Sequence, residues 1–376
     1  MIYFHIPFCK QACHYCDFHF STSLKYKEEM LLALEKELGL RSDYLDSKKI
    51  TSIYFGGGTP SILDASDIQR LIDQVARHYD IDPLAEITLE ANPDDLTAQK
   101  TKALKTSSIN RFSIGIQSFF EEDLTWMNRA HNAQEADACI KRVQDAGFEN
   151  ITCDLIYGYP LLSNEKWMSN MNKLVGLAVP HISSYAMTVE NKTALAHQIK
   201  MGKTPAILEE QAEEQMNMLI DTLTGNNYEH YEISNFAKKD HYAKHNTSYW
   251  KGKHYLGIGP SAHSYNGNSR SWNIANNAKY IAAIQEGEIN QEVETLTLHE
   301  QYNEYIMTSL RTMWGVDPYK VQQMFGTDYQ THLLHEVQPF IEQEKIKLDQ
   351  DGCYKLSNKG KLFADLIASE LFLIDK

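Results

Sequence analysis

Residues 1–16 read MIYFHIPFCKQACHYC, a short strand-like run followed directly by three closely spaced cysteines. The cysteines are Cys9, Cys13 and Cys16, in the spacing C-x3-C-x2-C. Thiolates suit iron–sulfur clusters and zinc, and this spacing differs from the C-x2-C-x2-C-x3-C run of bacterial ferredoxins. Because the loop offers three thiols, a four-iron cluster bound there keeps one iron open to another ligand. The sequence therefore predicts a [4Fe–4S] cluster site directly after the first strand.

Two alternative roles for these cysteines stay open. One is a zinc ion completed by His14 or His19, since zinc sites combine thiolate and imidazole ligands. The second is a set of free loop thiols. The remaining cysteines are isolated in the sequence and are expected to be packed thiols: Cys139, Cys153 and Cys353. Such a distribution is a poor disulfide framework and favours a reducing, cytoplasmic location.

An alternation of β-rich and amphipathic segments extends from the first strand to about residue 190. Strand-like runs lie at 2–6, 51–55, 86–90, 111–116, 151–156 and 181–187, and helical patterns lie between them, as at 26–40, 67–78 and 133–146. This βαβα rhythm predicts a parallel sheet with right-handed crossovers, and six repeats suit a partial (β/α)6 barrel. The alternative is a doubly wound open sheet. In a barrel, binding residues collect at the carboxyl ends of the strands.

The character of the sequence changes after residue 190. The next hundred residues are less regular, with a helical stretch at 208–223 followed by sequence rich in aromatic residues, His and Gly. Near the end, helical patterns at 298–313, 318–325 and 329–344 precede a hairpin with its turn at 349–352 and a last helix at 358–372. Helices followed by a hairpin predict a small winged-helix-like domain. We expect three parts: residues 1–190, 191–295 and 296–376.

The overall charge is negative, with 50 acidic against 36 basic residues and a net charge of −14. A surface of this sign repels phosphate backbones, so nucleic-acid binding is not expected, even from a winged-helix-like domain. No run of about 18 apolar residues and no signal-peptide pattern is present, so no transmembrane segment is expected. Neither a peripheral contact with a membrane face nor a homodimer conflicts with this composition.

Glycine and polar residues follow successive strands of the predicted barrel. Gly57, Gly58 and Thr59 come directly after the second strand, where glycines let backbone groups approach a ligand closely. Charged or amide side chains lie at or near the following strand ends: Glu90, Gln117, Arg129 and Asp154. Burying such groups costs free energy unless they are paired. They therefore either bind a ligand at the strand ends or pair with one another in a structural network.

The cysteine motif, with Tyr15 before the third cysteine, resembles the signature of radical S-adenosylmethionine proteins. Residues 3–9, YFHIPFC, are similar to the subgroup of oxygen-independent coproporphyrinogen III dehydrogenase and the HemW-type haem chaperones. The resemblance implies a radical-SAM barrel in which the open cluster iron holds S-adenosylmethionine. The cofactor contacts that it implies come from Tyr3, Gly57, Gly58, Thr59, Glu90, Gln117, Arg129 and Asp154. The Gly-x-Gly-x-x-Ala element of this family is matched at 257–262.

Two features separate the members of this subgroup. The dehydrogenases carry a further cysteine two residues after the third, where this chain has Phe18, and an N-terminal extension that is not seen here. The chaperones carry H-N-x-x-Y-W, which is matched at 245–250. This resemblance implicates His245 in binding haem iron, since imidazole is a common axial ligand and Tyr and Trp offer flat apolar surfaces. The alternative is a structural histidine among packed aromatic residues. Candidates for a second axial ligand are His241, His254 and His263.

Together these features predict a haem chaperone without coproporphyrinogen dehydrogenase activity. It would transfer haem to acceptor haemoproteins, expected to be respiratory ones, and its cluster and S-adenosylmethionine would control conformation or assembly. The competing hypothesis is an oxidative decarboxylase of coproporphyrinogen III that uses a 5′-deoxyadenosyl radical, and a third is a radical methylase. The complete set of cofactor residues leaves open whether S-adenosylmethionine is cleaved.

Overall fold

The computed structural model describes residues 1–374, and a nine-stranded sheet forms its centre. Six parallel strands stand in sequence order, β1 to β6: Ile2–Ile6, Lys49–Gly57, Asp80–Ala91, Arg111–Gln117, Ile151–Tyr157 and His181–Ala186. Because each strand lies beside the next one in the chain, the order never reverses as it does in a doubly wound sheet. The predicted partial (β/α)6 barrel is confirmed.

Three short strands extend this sheet at its two edges. β7 (Glu229–Glu232) and β8 (Asn235–Ala237) continue antiparallel from β6, and β9 (Leu256–Ile258) lies parallel beside β1. Two small antiparallel sheets lie apart from it. Their strands, β10 to β14, are His263–Tyr265, Ser269–Asn273 and Gln291–Thr295 in one, and Ile346–Leu348 and Tyr354–Leu356 in the other.

The helices between the strands bury their apolar faces in one hydrophobic core with the sheet. In the first helix, four apolar residues form a buried face: Met30, Leu31, Leu34 and Leu38. Helices α1 to α10 are Lys27–Leu40, Ala65–His78, Ala98–Leu104, Glu121–Trp126, Ala133–Asp145, Asn164–Gly176, Ala194–Lys200, Glu209–Gly225, Lys244–Trp250 and Asn277–Glu286. Nowhere in residues 1–374 is a helix long and apolar enough to span a membrane.

The C-terminal part has its own apolar cluster, with members from Tyr302 to Leu371. Helices α11 to α16 are Leu298–Leu310, Pro318–Phe325, Thr327–Glu336, Gln338–Glu342, Asn358–Lys361 and Ala364–Glu370, and the β13–β14 hairpin precedes the last two. The predicted single helix at 329–344 is wrong, because Pro339 cannot continue the hydrogen bonds of a helix. The predicted helix at 358–372 is also divided, at Phe363, which leaves the helical conformation with φ −119°. The three-part division of the chain stays a prediction.

A buried ion pair connects α1 to the segment around β9. Arg41 lies 3.2 Å from the Glu37 carboxylate, and both side chains are buried. The same carboxylate accepts hydrogen bonds from the Gly259 amide at 2.8 Å, the Asn273 side chain at 2.7 Å and the Tyr280 hydroxyl at 2.6 Å. The glycine-rich element that begins at residue 257 is therefore held in place by α1.

Replacing Glu37 should strongly destabilise the barrel. In Glu37→Ala, Arg41 stays buried without its carboxylate, and we expect the free energy of unfolding to fall by about 3–5 kcal/mol. Urea denaturation followed by circular dichroism measures the change. The control is Lys36→Ala, an exposed neighbour on α1, which should change it by less than about 0.5 kcal/mol. Equal transition midpoints for the two variants would show that the ion pair is not needed.

Candidate functional site

The loops at the carboxyl ends of the barrel strands surround a cavity of about 460 Å³. This volume is typical of sites for small molecules and cofactors. All of the predicted cluster and cofactor residues except Tyr3 and His245 line it: Cys9, Cys13, Cys16, Gly57, Gly58, Thr59, Glu90, Gln117, Arg129 and Asp154. They come from distant parts of the sequence and converge because parallel strands end at one rim.

The three thiols of the cysteine loop are free and partly buried. Burial raises the pKa of Cys9 and that of Cys16 to about 11. Near neutral pH both thiols therefore keep their protons until a metal centre displaces them, because ligation requires the thiolate. The donor set fits an iron–sulfur cluster, which prefers such soft ligands.

The structure does not bring His14 or His19 to these thiols. Nδ1 of His14 lies 2.8 Å from the Trp126 carbonyl oxygen, and Nε2 of His19 lies 2.7 Å from Oδ1 of Asn277. Neither histidine lines the cavity. Within residues 1–374, moreover, no three His, Cys, Asp or Glu side chains form a group that could hold a single metal ion. The geometry gives no support to a zinc ion completed by either histidine.

Arg129 connects the cysteine loop to the strand ends. Its Nη1 lies 3.3 Å from Sγ of Cys13 and 3.3 Å from the Tyr15 hydroxyl. Its Nη2 donates to Oδ1 of Asn92 at 2.8 Å and to the Gly115 carbonyl at 3.0 Å. The Nε atom of Arg129 is buried without a hydrogen-bond partner in the described structure, so a donor remains for a ligand.

The glycine-rich loop after β2 holds the beginning of the cysteine loop. The Gly58 amide donates to the Ile6 carbonyl at 2.9 Å, and the Thr59 amide donates to the Phe8 carbonyl at 2.6 Å. The Thr59 hydroxyl also donates to Sγ of Cys9 at 3.3 Å. A Cβ atom at Gly58 would lie 2.5 Å from the Phe8 carbonyl oxygen, so only glycine fits there. Because these two amides are already used, the predicted cofactor contacts of Gly58 and Thr59 would have to come from other atoms.

Two carboxyl groups lie on the wall of the cavity formed by the strands. Oε1 of Glu90 accepts a hydrogen bond from the Tyr54 hydroxyl at 2.7 Å, and Oδ1 of Asp154 accepts a longer one from Ser113 at 3.4 Å. Burial raises the pKa of Glu90 to about 7 and that of Asp154 to about 6. Both groups retain acceptor oxygens at the cavity, which suit the hydroxyl groups of a bound ribose.

Gln117, the last residue of β4, has an unusual backbone. Its φ angle is +64°, in the left-handed region that non-glycine residues rarely adopt. Its Oε1 atom is buried and has no hydrogen-bond partner among residues 1–374. Backbone outliers and unpaired buried polar atoms both cluster at functional sites. Gln117 therefore fits a residue whose partner is a ligand.

Tyr3 does not line the smaller cavity but packs behind Tyr54. Its side chain stacks on Tyr54 with ring centroids 6.1 Å apart, and its hydroxyl lies 3.2 Å from Nδ1 of His5. Tyr54 itself lines the cavity. A direct contact between Tyr3 and the cofactor stays a prediction.

His245 is buried on α9, with 1% of its surface exposed. Its Nδ1 lies 2.8 Å from the Ser52 hydroxyl, and its Nε2 lies 2.9 Å from the Tyr249 hydroxyl. Burial lowers its pKa to about 3, so the ring is neutral near pH 7. The amide of His245 donates to the Glu86 carboxylate, which anchors the helix inside the barrel. Both ring nitrogens are occupied, a geometry that agrees with the structural alternative; ligation of haem iron by His245 stays a prediction.

A second cavity, of about 1040 Å³, lies between the barrel and the C-terminal part. Tyr249 and Trp250, the aromatic end of the H-N-x-x-Y-W motif, line it together with Tyr3. Phe18 lines both cavities and is 67% exposed. The motif residues therefore lie in two places: the histidine faces the barrel interior, and the aromatic residues line the larger cavity.

Comparison with known proteins agrees with this architecture. Residues 3–174 match the radical SAM superfamily, and residues 296–363 match the HemN C-terminal domain. A relative from Lactococcus lactis named heme chaperone HemW is 33% identical over 374 residues, which cover 99% of this chain and 97% of the relative. The relative of the same name from Bacillus subtilis is 32% identical, with 96% of each chain covered. The chain belongs to the HemW family.

A solved structure similar to this member of the HemW family is that of coproporphyrinogen III oxidase, HemN, from Escherichia coli. It superimposes with a TM-score of 0.85 over 99% of this chain and 89% of its own, at 22% identity. That likeness confirms the radical-SAM fold. The predicted family is confirmed by the relatives from Lactococcus lactis and Bacillus subtilis.

Sequence reasoning missed two residues that order the HemW-family cavity. Asn92 accepts a hydrogen bond from Arg129, and Tyr54 donates one to Glu90. Asn92 could have been found, because it lies two positions after Glu90 and strand side chains alternate with a period of two. Tyr54 could not, because its role depends on the pairing of β2 with β3.

Removing the guanidinium group should weaken the cysteine loop as a cluster site. We expect Arg129→Leu to lower iron retention by about 10–100-fold, the usual cost of losing an outer partner of a metal ligand. Iron and sulfide content after anaerobic reconstitution, followed by a chelator challenge, measures this. Arg77→Leu, an exposed site on α2, is the control and should retain iron like the parent protein. Equal iron retention by both variants would show that Arg129 does not support the cluster.

The Glu90 carboxyl should make stability depend on pH. Its pKa is raised from 4.5 to about 7 on folding, so the folded protein holds this proton more tightly, and the resulting stabilisation is lost as pH rises through 7. Glu90→Gln keeps an acceptor for Tyr54 and removes the charge. We expect it to raise the free energy of unfolding by about 1–3 kcal/mol at pH 8 and by less than about 1 kcal/mol at pH 5.

Urea denaturation of the cofactor-free protein at both pH values measures this difference. Glu292→Gln, at an exposed position on β12, is the control and should show no such pH dependence. An equal gain for Glu90→Gln at pH 5 and pH 8 would contradict the assigned pKa.

Proposed function

We propose that this protein binds haem and transfers it to acceptor haemoproteins, and that a [4Fe–4S] cluster and S-adenosylmethionine control the transfer. The full-length similarity to relatives named heme chaperone HemW carries this proposal. Two features of the chain support it. Phe18 stands where the resembling dehydrogenases have a further cysteine, and Tyr249 and Trp250 present aromatic surface to a large cavity.

The smaller cavity is proposed to hold the cluster and S-adenosylmethionine. When bound, the cluster supplies an iron with an open coordination position for the amino and carboxylate groups of S-adenosylmethionine. Cys9, Cys13 and Cys16 would ligate the cluster. The loop of Gly57, Gly58 and Thr59 would border the amino acid end of the cofactor, and the nucleoside end would contact Tyr3, Glu90, Gln117 and Asp154. Arg129 would neutralise negative charge between the two ends.

The electrostatics of this chain support that arrangement. The buried guanidinium group of Arg129 lies beside Sγ of Cys13, and its Nε has no hydrogen-bond partner in the described structure. Burial raises the pKa of Glu90 to about 7 and that of Asp154 to about 6, which shows that water stabilises neither charge well. The oxygens of both carboxyl groups can accept hydrogen bonds from the hydroxyl groups of a ligand. A ligand that brings donors relieves the cost of burying these acceptors.

We also propose the cellular setting. The six cysteines are unpaired thiols in the described structure, which suits a cytoplasmic location. Respiratory haemoproteins are the proposed acceptors, and the C-terminal part is proposed as a docking or lid element for them. A homodimer and a peripheral contact with a membrane are compatible with this role.

Anaerobic haem titration tests the proposed function. Reconstituted protein should bind about one haem and about four irons per chain, give a Soret band and pass its haem to an apo-haemoprotein. Under reducing conditions with S-adenosylmethionine it should release no CO2 from coproporphyrinogen III. Turnover of that substrate would establish the competing oxidative decarboxylase instead. Cys13→Ala should remove the cluster while leaving the circular dichroism spectrum of the fold unchanged.

A further inference from the structure

Several aromatic side chains line the larger cavity. They come from α9, from the segment around β10 and from the C-terminal part: Tyr249, Trp250, Tyr255, Tyr265, Tyr305 and Trp314. The cavity is more than twice as large as the one that the cysteines line, about 1040 Å³ against 460 Å³. Rings of this kind offer flat apolar surface with polar edges, which suits a planar apolar ligand.

Positive side chains accompany these rings. Nζ of Lys251 lies 4.2 Å from the ring centroid of Trp314, and Nζ of Lys320 lies 4.7 Å from that of Tyr305. Lys253 also lines the cavity. In the described part of the chain, none of these three lysines forms an ion pair with a carboxylate. Unpaired cations beside an apolar wall match a ligand with an apolar body and anionic groups on its edge.

Three histidines line the cavity, and they differ in how far the protein engages their ring nitrogens. His5 is hydrogen-bonded through both ring nitrogens, to the Tyr3 hydroxyl at 3.2 Å and to the His19 carbonyl at 2.9 Å. His254 turns its Nδ1 towards the Asp46 carboxylate, 3.7 Å away.

The third histidine, His263, is available. It is exposed at the beginning of β10, and its ring stacks on Trp272 with centroids 5.9 Å apart. Within residues 1–374 neither of its ring nitrogens has a hydrogen-bond partner. Partial desolvation and the nearby Arg270 guanidinium lower its pKa, which favours the neutral ring that ligates iron. His245, by contrast, has both ring nitrogens occupied inside the barrel.

From this arrangement we infer that an iron porphyrin binds in the larger cavity, with His263 as its axial ligand and the lysines at its carboxylates. The inference rests on the proposed function, because haem binding itself comes from there. The larger cavity adds the place where haem binds and the residue that ligates its iron. Phe18, which lines both cavities, separates the porphyrin from the cysteine loop.

Haem titration of histidine variants tests the ligand. His263→Ala should weaken haem binding by about tenfold or more, which corresponds to about 1.4 kcal/mol. It should also remove the spectrum of imidazole-ligated iron, because the variant lacks the proposed axial ligand. His254→Ala is the matched control from the same cavity and should stay within about threefold of the parent affinity. Cys353→Ser and Met324→Leu test two further side chains of the cavity that can ligate iron, and neither should change the spectrum.

Two further measurements test the location. Haem should quench tryptophan fluorescence, and Trp314→Phe should reduce the quenched fraction because Trp314 lines the cavity. Saturating S-adenosylmethionine should leave the haem stoichiometry unchanged, since the two ligands would occupy different cavities. Competitive displacement of haem by S-adenosylmethionine would overturn the location.

The outcomes distinguish this inference from the proposed function. If the parent protein binds no haem, both fail. If it binds haem and folded His245→Gln loses it while His263→Ala does not, the proposed function stands and the assignment of His263 is wrong. An unchanged spectrum in His263→Ala, or its loss in Cys353→Ser or Met324→Leu, also overturns that assignment.

Discussion

The buried guanidinium group of Arg129 holds the cysteine loop against the ends of the barrel strands. It contacts Cys13 and Tyr15 on one side and Asn92 and Gly115 on the other, so one planar cation joins the cysteine loop to two strand ends. A planar fork with five donors can hold such a junction together, whereas a lysine ammonium could not span it. The remaining features of the smaller cavity depend on this junction, because it sets where the thiols lie relative to the strand ends.

A line of side-chain contacts through the motif helix α9 connects the two cavities. The Tyr54 hydroxyl donates to Oε1 of Glu90 at 2.7 Å, and the Tyr54 ring lies 5.1 Å from the His245 ring between centroids. Nε2 of His245 in turn lies 2.9 Å from the Tyr249 hydroxyl. Glu90 lines the smaller cavity and Tyr249 the larger one. A histidine in this position therefore has a structural reason to be there that does not involve iron. Packed lines of this kind carry coupling when one of their elements has two arrangements.

Much of the site was accessible from the sequence because its signals are local. The spacing of the cysteines, the glycines after β2 and the polar residues at successive strand ends each depend on a few neighbouring positions. A parallel barrel then brings every strand end to one rim, so Glu90, Gln117 and Asp154 could be grouped before any distance was known. The division of the predicted helix at 329–344 has a local signal too, in Pro339.

The sequence by itself determined the fold class, the family and most of the candidate binding residues of the smaller cavity, because strand period, helix faces and motif spacing are properties of neighbouring residues. Only the tertiary structure decided that Tyr3 lies behind Tyr54 and that both nitrogens of His245 are occupied, because these depend on the pairing of β1 with β2 and on the packing of α9. The larger cavity could not be predicted from the sequence either. Its wall joins residues from Tyr3 to Cys353, and no local pattern reports which distant segments will face one another across a space.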